Sequence, residues 1–362
     1  MQKFSQSPST IPKILHAIDA LMLESKKLLI VLHDNPDPDA LAAGLALKTL
    51  CETRYDMHVI ISHGGLINRA ENKSMVSELN IPLTCFGEIE TGDFDRIAVV
   101  DTQPGRGNNA LPADAHCHIV FDHHATIDSE SADLIIYNKS LGATATLLGE
   151  LLQAASIEIK GNLATAIAYA IRTETLELQR EAGPRDIRMY LSVYPLSSLH
   201  KIGAITWPKL PNSYYEMLSI ALIKAQIFRY LVFIPIGHVV MPEIVAEIAD
   251  LFLRRERVTW VLAMGFYNSH AYFSLRTSHY KGQAFRILQN ILDDAKNAGG
   301  HETFAGGRLA VDLDANKMID LENKIAKRFA ANLGYRSAGW KKLVNNDIFE
   351  NARLHTTATQ QK

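Results

Sequence analysis

Five short, continuously apolar runs constrain the first half of the chain: residues 28–33 (LLIVLH), 57–62 (MHVIIS), 96–102 (RIAVVDT), 118–121 (HIVF) and 133–137 (DLIIY). Each is too short for a helix, rich in Val and Ile, and bounded by polar or turn-forming residues, so each reads as a buried strand. Between the first two, residues 39–53 place apolar side chains at helical spacing, and Ala42, Ala43 and Gly44 allow close packing on a sheet. Strand, helix, strand order with strands apolar on both faces predicts a mostly parallel, helix-covered sheet. Ligands of such folds bind at the carboxyl ends of the strands.

The pattern then changes. Residues 142–226 read as helical, with breaks at Gly161, Gly183, Pro184, Pro195, Pro208 and Pro211. A second block follows: strand 230–236, helix 242–255, strands 258–264 and 271–276, helix 283–296, strand 308–312 and a terminal helix 317–333. The expected fold class is α/β, a parallel-sheet N-terminal domain followed by a smaller mixed α+β domain. The expected division is a first domain over 1–200, a helical connector over 201–230, a second domain over 231–345 and a loose polar tail over 346–362.

Composition narrows the partners. With 362 residues, 47% of them hydrophobic and 21% charged, the chain has material for about two cored domains. A formal net charge of -2 does not favour adhesion to long nucleic acid or to an anionic membrane, and leaves room for a small anion at one site. The three cysteines, Cys51, Cys85 and Cys117, have no disulfide or zinc spacing, which points to a reducing cytoplasm. The start of the chain has no apolar core before a cleavage site. The apolar run over 230–242 is too short to span a bilayer. A cytoplasmic protein with no membrane partner is expected.

Three predicted strands end in acid or His: His33 to Asp39 after the first, Asp101 in the third, and Asp122, His123 and His124 after the fourth. So many carboxylates in one crevice repel one another and desolvate poorly unless cations neutralise them. Carboxylates mixed with imidazole and no thiolate suit manganese, with iron, cobalt and magnesium as further candidates, better than a structural zinc. Asp37 and Asp39 flank Pro38, so they can serve two different ions, and Asp101 can bridge them. Two ions about 3.5–4 Å apart are a device for in-line displacement at phosphorus. Taken singly, each motif has an ordinary structural reading; Asp39, for one, could simply cap the helix behind it. Together the three strand ends favour a metal site.

The ordered motifs resemble those of the DHH phosphoesterase superfamily: residues 33–41 (HDNPDPDAL), 99–102 (VVDT), 121–124 (FDHH) and 142–146 (GATAT). Residues 299–306 (GGHETFAG) resemble the glycine-glycine-histidine signature of its DHH-associated C-terminal substrate domain. The resemblance spans about 28–312. It implies an active site in the cleft between the two domains, with two divalent ions, Mn2+ being the expected metal. His33 and Asp37 would hold one ion, Asp39 and His123 the other, and Asp101 would bridge. His124 would contact the bound phosphate or support the site, and Asp122 would orient imidazole. The family's fourth motif has Asp in a Thr-Asp-Thr context; here Glu174 stands between Thr173 and Thr175, one methylene longer, as a further ligand of the second ion. In the second domain Arg276, Gly299, Gly300 and His301 would hold the substrate. A solvated strand end is an equally good reading of Arg276 from sequence alone.

The resulting expectation is a metal-dependent hydrolase of phosphoester bonds in short nucleotides: nanoRNA, linear or cyclic dinucleotides, or adenosine 3',5'-bisphosphate. Two alternatives stand beside it. Glu174 motivates a weakly active or non-hydrolytic nucleotide-binding regulator. A RecJ-like single-strand exonuclease shares the core, but no basic aromatic stretch is left over to supply its extra binding modules. No stable complex with long nucleic acid is expected, and a homodimer is the commonest assembly.

Overall fold

A computed structural model describes residues 2–4, 10–67, 69–112, 114–124, 132–179, 181–293, 298–300 and 302–344. The chain divides into two units, Met1–Lys209 and Leu210–Lys362.

The first unit runs β1 (Gln2–Phe4), α1 (Ile11–Met22), β2 (Lys27–Leu32), α2 (Pro38–Tyr55), β3 (His58–His63), α3 (Ala70–Leu79), β4 (Leu83–Cys85), β5 (Arg96–Val100), β6 (Cys117–Asp122) and β7 (Ala132–Tyr137). It closes with helices α4 (Thr144–Ala154), α5 (Gly161–Glu174), α6 (Pro184–Val193) and α7 (Leu199–Thr206). Its sheet has the order β1-β7-β6-β5-β2-β3-β4, and every pairing is parallel. The alternation along each strand explains the continuous apolar runs. Leu28, Ile30 and Leu32 enter a core with α1, α2, α4 and α5, whereas Leu29 and Val31 enter a second core with Ile97, Val99 and Val120 on the other face. Burial on both faces removes any need for polar alternation. Among the described residues no α-helix covers the second face as the sequence suggests: Phe86 from a one-turn 3-10 helix and Ile89, Phe94 and Leu111 from loops pack there instead.

From β2 the chain moves outward to β3 and β4, then returns to place β5 on the opposite side of β2. The sheet's topological switch point therefore lies between β2 and β5, where open α/β sheets form their ligand crevices. Helix α2 sits low over this point. A Cβ on Gly44 would come within 3.1 Å of Leu32 and 3.3 Å of Ile61, so a larger residue would lift the helix.

The second unit contains α8 (Asn212–Lys224), β8 (Gln226–Phe228), β9 (Leu231–His238), α9 (Ile244–Leu253), β10 (Trp260–Tyr267), β11 (His270–Thr277) and α10 (Ala284–Leu292). These are followed by β12 (Ala298–Gly300), β13 (Phe304–Ala310), α11 (Ala315–Asn332) and β14 (Lys341–Lys342). The order is β12-β13-β11-β10-β9-β8-β14, parallel between β9 and β10 and antiparallel elsewhere. Leu231, Phe233, Leu262 and Met264 face α10 and α11; Val232, Ile234, Val261 and Ala263 face α8 and α9. The α/β class with a parallel and a mixed sheet is the one read from sequence. One local reading changes: the helix expected over 283–296 ends at Leu292 with Asp293 as its C-cap, and Gly299 and Gly300 lie in strand β12. Among the described residues no helix is long and apolar enough to cross a membrane.

Candidate metal centre

Strands β6, β5 and β2 are consecutive in the sheet, and each delivers its polar ending at the same edge. His33 directly follows β2, Asp101 follows β5, and Asp122 to His124 close β6. The three endings read from sequence are thus brought together at the switch point. Asp101 turns there at φ +60°, a left-handed conformation that Asp tolerates better than most residues.

The helix behind β2 adds two carboxylates. Asp37 caps α2: its Oδ1 accepts the amides of Asp39 at 2.9 Å and Ala40 at 3.1 Å, with Pro38 in the first turn. The cap is therefore Asp37, not Asp39. Asp39 is buried and capped from elsewhere, its Oδ2 accepting the amide of Thr144 at 2.7 Å and its Oδ1 that of Ala145 at 2.8 Å. The N-cap of α4, Ala143, has no side-chain acceptor to offer, so Asp39 satisfies that helix's first amides across the fold.

Two imidazoles are set the same way. His33 Nδ1 donates to the carbonyl of Asp34 at 2.9 Å, and His123 Nδ1 donates to the carbonyl of Leu141 at 3.1 Å. That tautomer leaves each Nε2 with a lone pair. His33 Nε2 faces Asp37 Oδ1 at 3.7 Å and Asp101 Oδ2 at 3.8 Å. His123 Nε2 faces Asp39 Oδ2 and Asp101 Oδ1, each at 3.7 Å. Asp101 therefore turns one oxygen to each imidazole. His124 differs: its Nδ1 bonds Asp122 Oδ1 at 2.9 Å, and Asp122 also accepts the amides of His123 and His124 and the side-chain amide of Gln103.

Electrostatics follow from this crowding. Burial, aided by the neighbouring Asp101 charge, pushes Asp39 up to about 8 despite His123 and the Ala145 amide. Burial and the Asp37 charge likewise raise Asp101 to about 6 against the pull of three histidines. Burial would depress His33 and His124, yet their carboxylate partners outweigh it and hold them at about 9 and about 10. His123 is raised for the same reason, with Glu174 adding to the effect. Burial works against ionisation of Asp37 and Asp122, but His33 and His124 respectively hold them below the usual carboxylate range.

These residues fit divalent ions. His123 Nε2 is a buried nitrogen with no hydrogen-bond partner, aimed at two buried carboxylates. Separations of 3.7–3.8 Å are too long for hydrogen bonds and suit ligands of a shared ion. Two triads of potential ligand atoms form, His33 with Asp37 and Asp101, and His123 with His124 and Asp101. Glu174 ends α5, and its charge reaches His123 and His124.

The remaining sequence candidates lie in the second unit. Arg276 Nε bonds Asp250 at 2.5 Å, and its guanidinium lies 5.6 Å from the Phe304 ring centroid. Register places Arg276 opposite Phe304, and Gly300 opposite Ala305. Gly300 has φ +146°, and a Cβ there would meet the Phe304 carbonyl at 2.4 Å, so only glycine fits. His301 lies outside the described residues. The structure adds residues that sequence reasoning passed over: Thr144 and Ala145 on Asp39, and Gln103 on Asp122. The only available signal was their place inside or beside the quoted motifs.

A third group, His116, His118 and Asp133, lies at the opposite edge of the sheet, where β6 and β7 begin. His118 Nδ1 accepts the Ile97 amide at 3.0 Å, so a neutral ring keeps its proton on Nε2 and offers no second lone pair to an ion.

Residues 27–171 match the DHH family, N-terminal domain. The match contains every residue of the two triads. An uncharacterized protein of Methanocaldococcus jannaschii is 31% identical over 296 residues, 80% of this chain and 60% of that protein. A probable manganese-dependent inorganic pyrophosphatase of Staphylococcus aureus is 27% identical over 147 residues, 40% of this chain and 46% of that protein. The chain thus spans less than two thirds of either relative. The fold is shared with an exopolyphosphatase-related protein from Bacteroides fragilis: the TM-score is 0.71 at 15% identity, covering 88% of this chain and 97% of that one.

Proposed function

We propose that this chain hydrolyses phosphoester bonds in short nucleotides, using two divalent ions held by the DHH domain. The observation that carries the reading is Asp101, whose two oxygens address His33 on one side and His123 on the other. In this reading His33 and Asp37 would hold one ion, Asp39, His123 and Glu174 would hold the other, and Asp101 would serve both. Mn2+ is the favoured metal, supported by the ligand chemistry and by the manganese dependence in the Staphylococcus aureus relative's name. Bound there, the pair would supply Lewis acidity toward phosphorus and lower the pKa of a water.

The chain's own groups do the rest. Asp122, held by Gln103 and by two backbone amides, keeps His124 protonated and oriented. His124 then donates a proton or hydrogen bond to a phosphate oxygen. Arg276 and the Gly299–Gly300 strand are the second unit's contribution to substrate binding, with Arg276 exchanging Asp250 for a phosphate. The substrate belongs to the group formed by nanoRNA, linear or cyclic dinucleotides and adenosine 3',5'-bisphosphate.

The test is turnover of a short RNA, cyclic di-AMP, its linear product and adenosine 3',5'-bisphosphate with Mn2+ and with EDTA. Turnover of at least one substrate with Mn2+, abolished by EDTA, is expected. Nucleotide binding with no turnover of any would replace the enzyme by a regulator. Affinity that climbs with strand length and collapses with salt would replace it by a single-strand exonuclease.

A further inference from the structure

We infer that Thr144 is the positioning residue that sets the His123 half of the metal centre. The inference rests on the two-ion reading above. His123 Nε2 faces two carboxylate oxygens, Asp39 Oδ2 and Asp101 Oδ1. Those same two atoms are the ones Thr144 holds: its amide donates to Asp39 Oδ2 at 2.7 Å, and its hydroxyl donates to Asp101 Oδ1 at 2.8 Å. One residue therefore fixes the spacing between an acid on α2 and an acid just past β5.

The sequence prepares Thr144 for this. It is the first residue of α4, where amides point outward without helical partners. A Thr hydroxyl at a helix start usually serves a nearby backbone group; this one is spent on Asp101 instead. Thr144 is fully buried, so water cannot replace its hydroxyl cheaply. The His33 half uses neither of these contacts, since Asp37 is held by its own helix cap and His33 faces the other oxygen of Asp101. Loss of the hydroxyl should therefore affect the two halves unequally.

The experiment titrates the metal-free full-length chain with Mn2+, following free Mn2+ by electron paramagnetic resonance and heat by calorimetry, for wild type, Thr144→Val and Thr144→Ser. Valine removes the hydroxyl and retains the amide and shape; serine retains the hydroxyl. Wild type is expected to bind two ions. Thr144→Val is expected to weaken one binding event about 10- to 100-fold and leave the other unchanged, with Thr144→Ser restoring it to within about threefold of wild type. If Thr144→Val does not fold in EDTA, Thr144→Ala is read by the same criteria. Two wild-type binding events in the Val variant, or a Ser variant as weak as the Val variant, would overturn the inference while leaving the two-ion reading intact. Failure of the wild-type chain to take two ions would overturn the reading itself, and the inference with it.

Discussion

His33 and His123, on strands separated by one neighbour and 90 positions apart in sequence, are held by the same device: each gives Nδ1–H to a backbone carbonyl and turns Nε2 toward a different oxygen of Asp101. A backbone carbonyl is a fixed acceptor, so once Nε2 gives up its proton to an ion each ring is already in the tautomer that metal binding needs. The carboxylates between the imidazoles are strained electrostatically rather than sterically, and that strain has measurable consequences.

Asp101→Asn should separate stability from function. The substitution removes a buried carboxylate held up at about 6, so the metal-free chain should gain about 1–3 kcal/mol at pH 7.5, seen as a higher Tm in EDTA. Bound metal and turnover should fall by about a thousandfold or more, because the one carboxylate that faces both imidazoles is lost. An unchanged Tm with intact metal binding would show that Asp101 is not the bridge.

The metal-free chain should lose stability as pH rises. Asp39 at about 8 and Asp101 at about 6 keep protons that the unfolded chain releases near 3.8, so their penalty sets in above 3.8 and grows up to those values. His33 at about 9 and His124 at about 10 contribute fully below 6.5 and lose that contribution as pH passes through their folded values. Both effects have the same sign. On the acid side Asp37 and Asp122 act oppositely, their contribution being lost as pH falls below 3.8. Thermal melts in EDTA should peak at about pH 4 and decline toward pH 9. Added Mn2+ should restore more stability at pH 8 than at pH 6, with proton release on binding.

Asp122→Asn addresses His124. The hydrogen bond and charge that hold this ring at about 10 would be gone, and burial would pull it down. The alkaline limb of the kcat–pH profile should move toward neutrality, and kcat at pH 8 should drop about 10- to 1000-fold. A profile with the same limb would remove His124 from proton donation.

Arg276→Gln and Asp250→Asn should act in opposite directions. The first removes the proposed phosphate ligand and should raise KM about 10- to 100-fold with kcat little changed. The second frees Arg276 from its 2.5 Å partner and should lower KM. Parallel changes in both variants would mark the pair as structural.

Much of the fold was legible because the strands of the first unit are buried on both faces, which leaves uninterrupted apolar runs at β2, β5 and β6. Strands β1 and β4 escaped notice, being three residues each and too short for any periodicity to register. In the second unit glycine hides β12 and the start of β13, which is legible only from Arg308 onward: Gly299, Gly300, Gly306 and Gly307 carry no side chain to show a period but lie in an antiparallel ladder. At the site, acid and His types at strand ends were legible residue by residue. Their supports were not, since a Thr, an Ala and a Gln carry no chemical signature outside their contacts.

By itself, the sequence determined which side chains could carry charge to the ends of buried strands, because hydrophobic burial and turn chemistry act over a few residues at a time. Only the tertiary structure decided that β2, β5 and β6 are consecutive, that Asp37 rather than Asp39 caps α2, and that the amino terminus of α4, 105 residues further along, closes on Asp39. Those outcomes depend on strand order and on which buried donor meets which buried acceptor. Both are settled only when the whole sheet packs and every desolvated polar atom must find a partner.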